Sequence, residues 1–132
     1  MKQFAADLHI HTALSPCAAE EMTPPAIVQM ARQRGLNLIA ICDHNAAGNA
    51  AATQDAAGHG LTVLAGMEIT TAEEAHVLGL FQDAESANLA AEEVRATLPD
   101  ADANGEPFGT QLLLDRYGGT LASEPKMLGA TA

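Results

Sequence analysis

One short apolar run constrains the fold of this chain more than any other feature. Residues 36–42, LNLIAIC, are almost continuously apolar and directly follow Gly35. A strand that alternates apolar and polar residues buries one face, whereas a run of this kind is typical of a strand covered on both faces. Such strands occur in parallel sheets flanked by helices. The run therefore predicts an α/β fold with a parallel sheet.

Strands and helices alternate along the rest of the chain, as such a sheet requires. The remaining predicted elements are strands over 3–10, 61–65 and 76–81, and helices between Thr23 and Gly35, over 46–57 and over 87–98. Thr23 can cap the first of these helices, whose predicted apolar stripe comprises Ile27, Met30 and Ala31. Ser86 is the predicted cap of the last helix, and Pro99 its stop. The order of elements predicts parallel strands joined by right-handed crossovers.

The C-terminal part of the chain carries weaker patterns. Residues 100–109 are predicted to form a loop and 112–115 a short strand, whereas 121–132 are predicted to form no complete element. The sequence shows neither an internal repeat nor a linker between two domains. We therefore treat residues 1–132 as one domain.

The chain is strongly acidic, with a formal net charge of −11 over 132 residues. This charge disfavours a surface for nucleic-acid phosphates, although bound divalent ions would invert the local field and admit a phosphorylated substrate. No stretch approaches the ~18 apolar residues of a membrane span, and no apolar signal run begins the chain. Because Cys17 and Cys42 alone make no disulfide framework, we expect a cytoplasmic location.

Metal-ligating side chains cluster at the predicted strand ends. His9 and His11 alternate along the first strand, so both imidazoles point to one face. The others lie at the ends of the next strands: Asp43, His44, Glu68 and His76. Functional groups gather where parallel strands end, and imidazoles with a carboxylate suit zinc, manganese or iron better than magnesium or calcium. The pattern predicts a divalent-metal site in which a carboxylate such as Glu68 can bridge two ions.

Simpler roles remain open for several of these residues. Asp43 could cap the following helix and leave His44 exposed. Glu68 could equally lie in a surface turn, and His76 could begin an edge strand without binding a metal. His59, between two glycines, is expected to be an exposed turn residue.

Other polar residues are interpreted by their surroundings in the sequence. Asp7 is expected to accept a hydrogen bond from a metal-binding histidine and so to orient it. Cys42 is expected to be a small buried apolar residue, whereas Cys17 lies in a loop expected to overhang the site. Residues 71–74 match a helix capping box, although a strand-like segment follows them.

Four segments together resemble the PHP family, which is named for its polymerase and histidinol phosphatase members. They are DLHIHTALSPC (7–17), ICDHN (41–45), GMEITT (66–71) and EEAHVLGLF (73–81). Their order and spacing fit the family, and the likeness is strongest to small bacterial PHP-domain proteins of unassigned phosphoesterase activity. The resemblance implies a distorted seven-stranded β/α barrel that holds up to three divalent metal ions at the ends of its strands.

The resemblance also implies a ligand for each metal. The first metal would be held by His9 and His11, the second would share Glu68 with the first and add His76, and the third would use His44. Where the family usually places a histidine or aspartate for the third metal, this chain has Cys17, a softer ligand that favours zinc or iron.

The C-terminal motifs of the family are not found. PHP proteins complete the site with a later histidine-bearing strand and an Asp-x-His motif, but no histidine follows His76. Three expected ligands are therefore missing. We expect a partial, truncated barrel: the N-terminal portion of a longer protein, or a shortened relative.

The function implied is that of a metal-dependent phosphoesterase. A metal-bound hydroxide would attack phosphorus in line, with no protein nucleophile and with Asp7 and Asp43 supporting the ligands. The expected substrate is a small phosphomonoester, a nucleotide or a nucleic-acid end, with the acidic charge favouring small substrates. The alternative is a catalytically incomplete module that binds metal weakly or associates with a second copy through an exposed sheet edge.

Overall fold

A four-stranded sheet forms the centre of the fold in the computed structural model, which describes residues 1–101 and 109–132. The elements are β1 (Ala6–Ile10), α1 (Pro24–Gln33), β2 (Leu38–Ile41), α2 (Ala50–Ala57), β3 (Thr62–Thr70), β4 (His76–Phe81) and α3 (Ala84–Arg95). The spatial order is β1-β2-β3-β4, and β2 pairs in parallel with both β1 and β3. The predicted α/β fold with parallel strands and intervening helices is confirmed. Most of the loop predicted at 100–109 lies outside the described residues.

The core lies between this sheet and the helices. Ile39 and Ile41 of β2 and Met67 of β3 are fully buried. They belong to a cluster with apolar residues of the three helices, which include Ile27, Val28, Ala31, Ala50, Ala57, Ala87 and Ala91. Val28 rather than the predicted Met30 completes the stripe of α1, since Val28 is 3% exposed and Met30 50%.

β4 runs antiparallel to β3, which the order of elements did not reveal. The two strands form a hairpin whose turn is closed by a hydrogen bond from the Thr71 N–H to the Ala75 carbonyl. Glu74 takes a positive φ of 62° in this turn, so the capping-box match at 71–74 marks a hairpin and not a helix start. Because β4 is antiparallel, its first residue, His76, lies where the parallel strands end.

Several element ends differ from those predicted. β3 extends to Thr70, so Glu68 lies within a strand instead of following one. The cap of α3 is Asp83, whose carboxylate accepts the Ser86 N–H at 2.7 Å, and the helix ends at Arg95. The predicted cap of α1 is confirmed, because Thr23 accepts a hydrogen bond from the Ala26 N–H.

The C-terminal segment adds a second sheet. In it, β5 (Leu112–Leu114) pairs antiparallel with β6 (Thr120–Ser123). The predicted strand at 112–115 is thus confirmed. The prediction that 121–132 form no complete element is wrong for residues 121–123, which belong to β6 and pair with β5. A turn joins β5 to β6, and in this turn the Asp115 carboxylate accepts the N–H groups of Tyr117 and Gly119.

Two buried asparagines attach this segment to the main core. Asn49 donates to the Leu112 carbonyl and accepts the Leu114 N–H, both at 2.9 Å. Asn45 donates to two backbone carbonyls near the C-terminus at 2.8 and 2.9 Å. Because the side chain of Asn49 is used in this way, it makes no cap hydrogen bond to α2, which begins at Ala50, later than predicted.

The main sheet is open. Within the described part of the chain, β1 and β4 are its edges and do not pair with each other. Over the same residues, no helix combines the length and the apolar character needed to cross a bilayer. The fold is thus an incomplete β/α barrel with one sheet face covered by helices.

The attachment of the C-terminal segment can be tested with Asn49→Ala. This change leaves the Leu112 carbonyl and the Leu114 N–H without their partner in a buried site, so unfolding in urea should require about 2–4 kcal/mol less free energy. Asn88→Ala is the matched control, because within the described part of the chain the Asn88 amide donates to the Ala84 carbonyl of its own helix and not to another element. Equal losses in the two variants would contradict the role given to Asn49.

Candidate metal centre

Neighbouring strands bring the metal-ligating residues together. His9 lies in β1 and His11 directly follows it, while Glu68 lies in β3. Beyond β2, the chain stays beside β3, because the Glu68 N–H donates to the Asp43 carbonyl and the Asn45 N–H donates to the Glu68 carbonyl, both at 2.9 Å. This pairing sets the His44 backbone against Glu68. Together with His76 of β4, five backbone positions thereby lie near one another at the end of the sheet where the parallel strands terminate.

Three side-chain atoms form a small triangle at this end of the sheet. The Oε2 atom of Glu68 lies 2.9 Å from Nε2 of His9 and 3.0 Å from Nε2 of His11, and the two nitrogens are 3.1 Å apart. Two ligands at about 2.1 Å from one ion are about 3.0–3.4 Å apart, depending on whether the geometry is octahedral or tetrahedral. The triangle therefore has the size of one face of a coordination shell.

The carboxylate of Glu68 also faces two further imidazoles. Its Oε1 atom lies 3.4 Å from Nδ1 of His76, and its Oε2 atom lies 3.7 Å from Nδ1 of His44. Nδ1 of His44 is buried and has no hydrogen-bond partner among the described residues, although buried polar atoms are rarely left unpaired. A carboxylate whose two oxygens face different imidazoles is arranged as a bridging ligand would be.

The protonation states suit metal binding. Burial raises the pKa of Glu68, but the hydrogen bond from His9 and the nearby imidazoles of His44 and His11 outweigh it, so the net shift is downward. Burial is the largest cause that lowers the pKa of both His11 and His44. Near neutral pH the carboxylate is thus charged and these two imidazoles are neutral, which are the forms that bind a cation.

Asp43 supports the site from within the protein. It is fully buried, and its Oδ1 atom accepts the Thr12 N–H and the Ser15 hydroxyl, both at 2.7 Å. Its Oδ2 atom accepts the Thr12 hydroxyl at 2.8 Å. Burial raises the pKa of Asp43, and these hydrogen bonds oppose that shift. The alternative in which Asp43 caps α2 does not apply, because the helix begins seven residues later.

Ser15 connects Asp43 to the histidines and was not found by sequence reasoning. Its hydroxyl oxygen lies 2.9 Å from Nδ1 of His11 and accepts the His44 N–H at 3.0 Å. Only its position four residues after His11 hints at this contact, and a serine in a loop carries no periodic signal. Asp7, by contrast, accepts the backbone N–H of His9 at 3.1 Å, and no imidazole among the described residues donates to it.

The two cysteines differ in their surroundings. Cys17 is exposed, and its sulfur can join nitrogens of His11 and His44 in a group whose atoms all lie within 4.8 Å of one another. Cys42 directly follows β2 and is fully buried, and burial raises its pKa to about 11. His59 is exposed in the turn after α2, and its carbonyl accepts a hydrogen bond from Arg32.

A family model described as PHP domain matches residues 7–122. The chain belongs to the PHP family. No curated protein sequence matches the chain.

A solved structure is similar to this PHP protein in both sequence and fold. It is that of a Bifidobacterium adolescentis protein described as a "putative metal-dependent phosphoesterase", with 31% sequence identity and a TM-score of 0.56. The match covers 72% of the present chain but only 34% of that protein. The present chain thus spans about a third of the length of its structural relative.

Metal binding can be tested by measuring metal content after dialysis against Zn²⁺ or Mn²⁺. We expect about one tightly bound ion per chain, and we expect Glu68→Gln and His11→Ala to weaken binding by at least ~100-fold, because each removes an atom of the triangle. His59→Ala is the matched control and should bind as the unaltered chain does.

The same measurement examines Cys17. If its sulfur binds a further ion, Cys17→Ala should lower the total metal content without affecting the tightest site. An unaltered chain that retains no ion, or a Glu68→Gln variant that retains as much metal as His59→Ala, would contradict the centre described here.

Proposed function

We propose that this protein is a metal-dependent phosphoesterase that acts on small phosphomonoesters. The observation that carries the proposal is the triangle of Glu68, His9 and His11, in which three ligand atoms lie 2.9–3.1 Å apart. Membership of the PHP family and the name of the similar Bifidobacterium protein support the same reaction class.

Each side chain has a distinct task in this proposal. His9 and His11 would hold the first ion together with Glu68, whose second oxygen faces His76 and is free to bind a second ion. His44 and Cys17 would serve a further ion. A bound divalent ion would supply the Lewis acidity that activates water and stabilises charge on the phosphoryl oxygens. The open sides of His9 and His76, 43% and 57% exposed, leave access for a substrate.

The charge of the chain favours a small substrate. Only six lysines and arginines balance 17 acidic residues. Three of the six are already engaged: Arg95 with Glu124, Lys126 with Asp100, and Arg32 with backbone carbonyls. A long polyanion would gain little from such a surface, whereas a single phosphoryl group can be neutralised by the ions themselves.

Hydrolysis of p-nitrophenyl phosphate with added Mn²⁺ or Zn²⁺ tests the proposal. We expect metal-dependent turnover that falls at least ~100-fold in the variant His9→Ala/His11→Ala, because two of the three ligand atoms of the triangle are lost. The bis-ester should react more slowly if the substrate is a monoester. Turnover no higher than that of the double variant would contradict the proposed activity, even if the chain binds metal.

A second candidate function is association of two copies through β4. Val77, Leu78 and Leu80 are 50%, 44% and 48% exposed on this edge strand. Identical edges can pair antiparallel about a twofold axis, which closes the interface without leaving a further edge. Leu78 and Leu80 lie opposite Glu68 and Gly66 of β3, so a partner here would border the metal-ligating carboxylate.

Sedimentation velocity measures this association directly. We propose that the chain is dimeric at micromolar concentration and that Leu80→Lys makes it monomeric, because a charge on the paired edge cannot be buried. Leu89→Lys, at a 60% exposed position of α3, is the matched control and should remain dimeric. A monomeric unaltered chain at ~100 μM would contradict this candidate.

A further inference from the structure

The Ser15 hydroxyl occupies a position where three polar groups meet. It is fully buried. It donates to Oδ1 of Asp43 at 2.7 Å, accepts the His44 N–H at 3.0 Å and lies 2.9 Å from Nδ1 of His11. A hydroxyl has one proton to donate and two lone pairs to accept with. The partners of Ser15 therefore decide where the proton of the His11 imidazole must lie.

The hydrogen bonds around Asp43 and Thr12 fix the direction in which the Ser15 hydroxyl donates. The Thr12 hydroxyl oxygen already accepts the Leu14 N–H at 3.1 Å and the Asn49 amide at 2.9 Å. Both of its lone pairs are thus used, and its proton can go only to Oδ2 of Asp43. Oδ2 of Asp43 therefore accepts from the Thr12 hydroxyl, and Oδ1 accepts both the Thr12 N–H and the single proton of Ser15, each at 2.7 Å.

Nδ1 of His11 must then be the donor in its contact with Ser15. In the neutral imidazole, a proton on Nδ1 leaves Nε2 with a bare lone pair. That lone pair faces Oε2 of Glu68 at 3.0 Å, which is also an acceptor. Two acceptors at this distance repel each other unless a cation lies between them, so this tautomer prepares His11 to bind metal.

We propose that Ser15 is a positioning residue that holds His11 in the Nδ1–H tautomer, with Asp43 fixing the direction of the Ser15 hydroxyl. The proposal rests on the proposed function only in taking His11 as a ligand. Without the hydroxyl, the imidazole proton gains a better partner at the other nitrogen, since Nε2–H could donate to Glu68. The tautomer would then block the nitrogen that the metal needs.

The tautomer can be read directly from the nitrogen chemical shifts of His11 in the metal-free, ¹⁵N-labelled protein. We expect the unaltered chain to carry the proton on Nδ1 and Ser15→Ala to move it to Nε2. Affinity for Zn²⁺ should fall about 10–100-fold in Ser15→Ala, the range typical when a group that orients a ligand is lost. Ser15→Thr keeps a hydroxyl and should restore the tautomer and most of the affinity. Ser123→Ala, at an exposed site in β6, is the matched control.

The possible outcomes separate this inference from the proposed function. An Nε2–H tautomer in the unaltered protein overturns the role of Ser15, and this measurement does not depend on whether any variant folds. Ser15→Ala with unchanged tautomer and unchanged Zn²⁺ affinity also overturns it. If the unaltered chain shows the Nδ1–H tautomer but neither binds metal nor hydrolyses esters, the proposed function fails while the tautomer assignment stands.

Discussion

The buried carboxylate of Asp43 is the group on which the arrangement of the site depends. An unpaired charge in the interior would cost several kcal/mol, and here three donors from Thr12 and Ser15 offset that cost. These donors belong to the loop after β1, whereas Asp43 follows β2. The need to satisfy one carboxylate therefore holds the His11 loop against the neighbouring strand. The Ser15 hydroxyl also contacts the His11 imidazole and the His44 backbone N–H. Its hydrogen bond to Asp43 therefore helps to position two candidate ligands.

Glu68 has the complementary role on the solvent side of the site. Its side chain is 7% exposed and faces nitrogen atoms of four imidazoles at 2.9–3.7 Å. In the proposed tautomer His11 turns a nitrogen without a proton toward this carboxylate, and Nδ1 of His44 has no hydrogen-bond partner among the described residues. A polar cluster of this kind is poorly satisfied by protein atoms alone, and a divalent cation satisfies it.

The sequence predicts those features that follow from periodicity or from local chemistry. The run at 36–42 identifies β2, in which the neighbouring residues Ile39 and Ala40 point to opposite faces and are both fully buried. The spacing of His9 and His11 places both side chains on one face. The direction of β4 does not follow from its residues, because an apolar strand of six residues fits either direction and its turn contains an unusual positive φ at Glu74. Asp83 and Ser86 are both competent caps, so only the structure distinguishes them.

Contacts between distant residues lie beyond such reasoning for a physical reason. Asn49 meets Leu114 across 65 positions and Asn45 meets Ala130 across 85, and no local propensity encodes either pair. The Ser15 contact is different, since His11 is only four residues away. The sequence does not show which group donates in this hydrogen bond, because that depends on Asp43, which follows β2 and accepts the Ser15 proton.

The triangle site and the wider set of candidate ligands depend on different parts of the open sheet. The three atoms of the triangle come from β1, its following residue and β3, which are held together through β2. The geometry of this first site thus depends on hydrogen bonds made among the described residues. The nitrogens of His44 and His76 lie farther from Glu68, at 3.7 and 3.4 Å, and His76 is half exposed on an edge strand. Binding of one ion therefore requires less of the barrel than assembly of a multinuclear centre, and metal affinity and hydrolysis can be separate properties of this chain.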